Sequence, residues 1–395
     1  MKKDTTYTQP LLLLMILFFS FGFITALNDI LTPHLKELFA LSYTQAMWVQ
    51  FTFFLAYGVV SLPASKLVIH IGHKKSIVLA LAISGIGCLL FYPAAEYQRY
   101  AIFLGALFCL ATGITLLQVA TNPYVAALGP ASTASSRLTL TQACNSLGTT
   151  IAPYIGAGLI LSHAASDSNA VQTLYVGLAT ALFSLAIFFS WLSFPMISPL
   201  PSEATSSQSI ERPFWHNRVL LGGVIGIFLY VGAEVSIGSF LVSYLSHADI
   251  GNVALEQAGK WVSFYWGGAM IGRFLGAYLQ RIVQPARLLC LYAGCAASLV
   301  LLSMQTHGFM AVYTILSVGF FNSIMFPTIF TLAIAGLGAR TAQASGWLCT
   351  AIVGGAVLPL LQGMVADHMG LQRSFFLPIL SYSYIAYYGW RRRAR

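Results

Sequence analysis

LLQVATNPYVAALG, residues 116–129, places a glutamine, an asparagine and a proline inside a hydrophobic run where an ordinary span carries leucine. Residues 319–338, GFFNSIMFPTIFTLAIAGLG, repeat that design, and setting Pro123 on Pro327 puts Gln118 opposite Asn322. A second pair, LGTTIAPYIGAG (147–158) and VGGAVLPLLQGM (353–364), matches at nearly the same offset, with Gly148 on Gly354 and Pro153 on Pro359. A repeat of about half the chain, found at two places, implies two parallel halves related by an axis along the membrane normal.

Working outward, apolar stretches of roughly 20 residues, enough to cross about 30 Å of hydrocarbon, recur along the chain. They lie at approximately 11–31, 47–69, 76–95, 100–121, 141–163, 173–195, 218–245, 258–280, 286–304, 308–334, 342–366 and 371–390. With 57% hydrophobic and 8% charged residues, the composition excludes an ordinary soluble domain. The expected fold is an all-α membrane protein of twelve transmembrane helices in two six-helix pseudo-symmetric halves. The first half covers 1–195 and the second 218–395. The Pro- and Ser-rich stretch at 196–217 is read as a cytoplasmic linker. The first apolar run is too long for a signal peptide's core and is read as an uncleaved span.

The net charge of +9 reports orientation. With the N-terminus inside, sixteen of the twenty basic residues, Arg273 among them, fall in inner segments, and only Lys36, Arg99, Lys260 and Arg373 fall outside. The positive-inside rule then puts both termini in the cytoplasm, and the basic balance speaks for anionic lipid and against nucleic acid. All six cysteines lie within spans, with no CxxC pair, so neither a disulfide framework nor a metal site is expected. No HExxH, Walker or GxSxG sequence is present, so the expectation is a protein that is not an enzyme and has no catalytic residues.

Of the eleven acidic residues, only Asp29 and Glu234 fall inside spans, in the equivalent first helices of the two halves. A carboxylate in hydrocarbon costs about 2.5 kcal/mol or more, and the basic residues all read as lying outside the mid-span region. Neither acid is therefore expected to have a fixed counter-charge. Each would need a mobile cation, H⁺ or Na⁺, whenever its cavity is closed. That is the requirement of an ion-coupled carrier.

Uncharged polar residues extend the candidate site. Thr25, Asn28 or Asp29, and Thr32 share a face in span one; Gln118 and Asn122 are one turn apart in span four; Gln142, Asn145 and Thr149 form a stripe in span five; Asn322 answers Gln118. As a set these amides suit a hydroxyl-rich ligand, because an amide donates and accepts at once. Trp261, Tyr265 and Trp266 in span eight are candidates for a flat apolar face. Gly268, Gly272 and Gly276 form a small-residue stripe that reads as helix packing.

The stretches ALNDILTPH, LPASKLVIHIGHKKS, SRLTLTQACNSLGTTIAP, YVGAEVSIGSFLVSYL, IGRFLGAYL and FPTIFTLAIAGLG, with the opening one, resemble the sugar-transporting branch of the major facilitator superfamily. That branch contains the L-fucose/proton symporter, and the likeness is greatest to its glucose/galactose transporter subgroup. The resemblance implies alternating access and cation-driven hexose uptake. It also implies a coupling role for Asp29, and it matches Gln142 and Asn145 to the polar pair of that branch's span five. Gln118 stands where the fucose symporter has glutamate, which argues against L-fucose, while Glu234 supplies a second acid from the other half. Gly72 to Ser76, GHKKS, keeps part of the superfamily's loop motif, with Ile69 where an acid is usual.

The expectation is thus a bacterial inner-membrane hexose symporter, glucose and galactose first, acting as a monomer and needing no cofactor beyond H⁺ or Na⁺. Sugar would bind among Asn28, Gln118, Asn122, Gln142, Asn145 and Asn322, with Tyr265 and Trp266 beside it. The alternatives are a symporter of L-fucose or another monosaccharide, a drug exporter of the same fold, and a sugar sensor that does not transport.

Overall fold

A computed structural model describes residues 7–38, 43–97, 99–156, 168–192, 216–248 and 250–393, with the backbone alone for 27–38, 43–47, 153–156, 168–171, 255 and 256. Among these residues the architecture is helical. Where the solvent is hydrocarbon, a helix satisfies every backbone donor and acceptor within its own segment.

In chain order the α-helices are α1 (Thr8–Leu38), α2 (Tyr43–Glu96), α3 (Tyr100–Ala127), α4 (Ala134–Gly156), α5 (Ser168–Trp191), α6 (Arg218–Ser246) and α7 (Leu255–Leu279). They continue as α8 (Pro285–Gln305), α9 (Gly308–Asn322), α10 (Met325–Ile334), α11 (Thr341–Thr350), α12 (Gly354–Met369), α13 (Leu371–Ser374) and α14 (Phe376–Arg392). The apolar stretches expected to span are helical in their described parts, but they divide differently. Spans two and three are two helices that meet within α2 at Gly72, whose φ of 81° and ψ of 164° are not helical and are open to glycine because it lacks a Cβ. Span ten breaks at 323–324 into α9 and α10, and span eleven breaks into α11 and α12 across a 3₁₀ turn at Ala351–Val353.

Among the described residues, eight helical stretches are long and apolar enough to cross a membrane, and one of them, Trp48–Glu96, runs for 49 residues. α4, α7 and α14 fall outside that set, α14 being only 17 residues long. α4 and α7 also carry candidate site residues.

By contact the chain forms two compact units. One holds residues 1–128, 144–202 and 337–350; the other holds 129–143, 203–336 and 351–395. In the first unit α2 packs along α3 and α5, and Phe91 stacks on Tyr175 with ring centroids 4.0 Å apart. The GHKKS loop helps tie these helices together. His73 Nδ1 lies 2.8 Å from the Ala120 carbonyl of α3, and Lys74 Nζ donates to the Ser190 carbonyl of α5 at 2.8 Å.

In the second unit α14 packs on α8 and α6, α7 on α9, and α12 on α6. The stripe of Gly268, Gly272 and Gly276 packs as its spacing suggests. Methyl groups there would press on Phe320, Ser323 and Ile324, so small residues are what let α7 approach α9 and the break after it so closely.

The sequence repeat has a structural counterpart in each unit. A methyl group on Gly148 would collide with the Phe19 carbonyl of α1, and one on Gly354 would collide with the Phe228 carbonyl of α6. The matched glycines therefore seat against the first helix of their own half.

Candidate functional site

The candidate residues fall into a polar cluster in each unit. In the first, Gln118 on α3 is buried and its Nε2 donates to the Tyr57 hydroxyl of α2 at 2.9 Å. One turn on, Asn122 has no exposed surface, and neither its Oδ1 nor its Nδ2 meets a nitrogen or oxygen partner. The Cys349 thiol of α11 lies beside both Asn122 and Tyr57. Asn145 on α4 donates from Nδ2 to the Phe18 carbonyl of α1 at 3.1 Å, where Gly22 lets the helices meet by presenting no side chain to the Asn145 backbone. Thr25 and Thr149 each bond back to carbonyls of their own helix. Asn28 and Asp29 lie on the described backbone of α1, but their side chains are outside the described residues.

In the second unit the cluster centres on Glu234, midway along α6. The structure corrects the expectation that this acid has no positive neighbour: Arg273 Nη2 of α7 stands 3.7 Å from Glu234 Oε1, with both side chains largely buried. Arg273 lies six residues before the end of α7, about 9 Å at 1.5 Å per residue. Its long side chain spans that depth, so a residue counted with the inner segment serves the membrane interior. At 3.7 Å the pair is loose, and Glu234 Oε1 accepts no hydrogen bond.

Around the pair, the Tyr265 hydroxyl of α7 donates to the Glu234 carbonyl at 3.4 Å and accepts from Asn322 Nδ2 of α9 at 2.7 Å. Tyr230, one turn before Glu234, and Tyr382 of α14 are close enough to be electrostatically coupled to the carboxylate. The Tyr230 hydroxyl faces the Glu234 carboxylate and the Tyr382 hydroxyl faces Asn322, but neither hydroxyl, nor Asn322 Oδ1, reaches close hydrogen-bond geometry. Gln142, on the part of α4 that packs in this unit, is buried and partnered.

The expected aromatic face is not formed by one group of rings. Tyr265 is fully buried between Asn322 and Glu234, and Trp266 meets it edge-on with centroids 5.1 Å apart and rings at 82°. Trp261 stacks instead on Tyr313. With Phe264, Ser317 and Phe321 it lines a cavity of about 620 Å³ that none of the polar candidates borders.

Sequence reasoning missed Arg273, Tyr57, Tyr230, Tyr382 and Gln362. Gln362 on α12 has no exposed surface and both ends of its amide lack a hydrogen-bond partner. Its one signal was a lone glutamine in an apolar span, the kind of residue that marks function by default.

Polar groups buried at mid-span without partners are what a carrier of a hydrogen-bonding solute needs, because the solute can supply the missing bonds. Known proteins agree with that chemistry. A sequence profile described as the Major Facilitator Superfamily matches residues 13–358. The glucose/galactose transporter of Brucella abortus biovar 1 is 52% identical over 98% of this chain and 95% of its own length. The L-fucose-proton symporter of Escherichia coli K12 is 32% identical over 97% of this chain and 93% of its own length. A solved structure of FucP, a transporter of the same superfamily in the outward conformation, superposes with a TM-score of 0.88 at 30% identity, covering 98% of this chain and 99% of that one. The chain is thus a multi-pass membrane transporter rather than an enzyme, and it belongs to the major facilitator superfamily, in the branch of the glucose/galactose transporters and L-fucose-proton symporters.

Proposed function

We propose that this protein carries a hexose, D-glucose or D-galactose first, into the cytoplasm of a bacterium by cation-coupled symport across the inner membrane. In this reading both termini are cytoplasmic and the chain acts as a monomer. The observation that carries the reading is the set of buried amides Gln118, Asn122 and Asn322, of which Gln118 and Asn322 sit at matched positions of the repeat and Asn122 and Asn322 keep unsatisfied polar atoms. A pyranose ring presents hydroxyls that donate and accept, which suits them. The name of the relative at 52% identity supports glucose and galactose.

Arg273 reorders the two acids in this scheme. Glu234 has a charge partner, so the coupling cation, H⁺ or Na⁺, goes first to Asp29 and reaches Glu234 only in exchange with Arg273. Gln118, held by the Tyr57 hydroxyl, carries no proton to exchange where the L-fucose symporter has an acid, so the coupling scheme here differs from that of the L-fucose alternative and D-glucose and D-galactose are favoured by the relative at 52% identity. Counterflow of labelled D-glucose in proteoliposomes against a panel of hexoses tests the reading. Exchange with glucose and galactose is expected, and exchange with L-fucose alone overturns it. A drug exporter would exchange lipophilic cations, and a sensor would bind sugar without exchange.

A further inference from the structure

α6 and α12 pack along two matched rows. On α12, Gly354, Leu358 and Gln362 recur every four residues and share a face; on α6, Phe228, Gly232 and Ser236 do the same. A methyl group on Gly354 would strike the Phe228 carbonyl, and one on Gly232 would press on the Leu358 side chain at 2.7 Å. The first two steps of the rows are therefore in contact, and the third brings Gln362 level with Ser236. Just beyond, Gly363 lies against the Phe240 ring, so the helices stay together past that step.

Gln362 and Ser236 are 0% and 1% exposed, and Gln362 Oε1, Gln362 Nε2 and Ser236 Oγ all lack a hydrogen-bond partner. The rest of the local surface of α12 is apolar: Leu360, Leu361 and Met364 are exposed, so the amide is the residue turned inward. Interhelical glue would show this amide bonded to α6 or to its own helix, and no such bond is made. Glu234 is two residues from Ser236, about 200° around the helix, so the pair is separate from the Glu234–Arg273 cluster.

We propose that Gln362, together with Ser236, recognises one hydroxyl of the transported sugar and sets specificity from the second half of the chain. This rests on the hexose reading above. One sugar hydroxyl both donates and accepts, and the amide offers Oε1 and Nε2 to meet it.

The test compares transport of D-glucose with that of 2-, 3-, 4- and 6-deoxyglucose by the full-length protein in proteoliposomes. The wild type should discriminate against loss of one particular hydroxyl by about tenfold in kcat/KM, since an analogue without it leaves the amide unmatched. Gln362→Leu should abolish the penalty at that position alone and keep the others. Ser236→Ala, a smaller change that removes one oxygen of the same pair, should weaken the same penalty and provides the reading if the leucine variant fails to fold. A deoxy profile unchanged in both variants overturns the proposal. A wild type that exchanges no hexose at all overturns the hexose reading, and this proposal with it, and is a distinguishable result.

Discussion

Gln280 gives the most quantitative prediction about how the second unit holds together. It follows α7 and is 2% exposed. Its Oε1 accepts from Thr139 of α4 at 2.8 Å, and its Nε2 donates to Thr328 of α10 at 2.7 Å. Nearby, Ser136 donates to the Ala277 carbonyl at 2.5 Å and Ser135 meets Thr331 at 2.6 Å. These bonds fasten residues 129–143, from the first half of the sequence, onto helices of the second. Gln280→Leu keeps the bulk and removes both side-chain bonds. Thr328 retains its bond to the Ile324 carbonyl, whereas Thr139, with no exposed surface, loses its acceptor. Two net hydrogen bonds at about 1 kcal/mol each, plus an unmatched hydroxyl and less the apolar gain of leucine, come to about 2 kcal/mol. At 1.4 kcal/mol per tenfold, the segment should open about 30 times more often. The assay is maleimide labelling of Leu138→Cys, a site with no exposed surface, in a background without other cysteines and with or without Gln280→Leu. Labelling should speed up about 30-fold; equal rates would refute the role assigned to Gln280.

Arg273→Gln strips Glu234 of the cation beside it. Breaking a buried pair from one side costs about 3–5 kcal/mol, and the loose separation places this one near 3 kcal/mol. Thermal unfolding in detergent should show a large loss for the single variant and recovery of most of it when Glu234→Gln is added, while additive losses would contradict the pairing. Gly148→Ala and Gly354→Ala should each cost about 1–3 kcal/mol by the same measurement, because both methyl groups meet a backbone carbonyl rather than a side chain that can move. Tolerance of alanine at either glycine would break the equivalence of the two halves at that contact.

Most of the fold was legible because lipid leaves few choices for the backbone. The half-length repeat went further, since it paired Gly148 with Gly354 before any contact was known, and both seat on the first helix of their half. The stripe of Gly268, Gly272 and Gly276 was legible for the same reason: packing of parallel rows leaves a local period. What was not legible was contact between helices distant in sequence. Arg273 sits near the end of its span and reads as interfacial until the length and direction of its side chain are known. Tyr230 and Tyr382 look like any span aromatic, and Gln362 has no periodic companion of its own. The break of span ten at 323–324 likewise has no strong signal, because Pro327 lies downstream of it and Asn322 reads as a site residue.

The claim on which the account depends is that sugar movement is coupled to a cation at Asp29, the acid of the first helix. It is tested most directly by accumulation of D-glucose in proteoliposomes under an imposed H⁺ or Na⁺ gradient, for the wild type and for Asp29→Asn. The account predicts that the wild type concentrates glucose until an ionophore collapses the gradient, and that Asp29→Asn exchanges glucose across the membrane without concentrating it. Equal accumulation by both proteins, or accumulation that survives the ionophore, would contradict it.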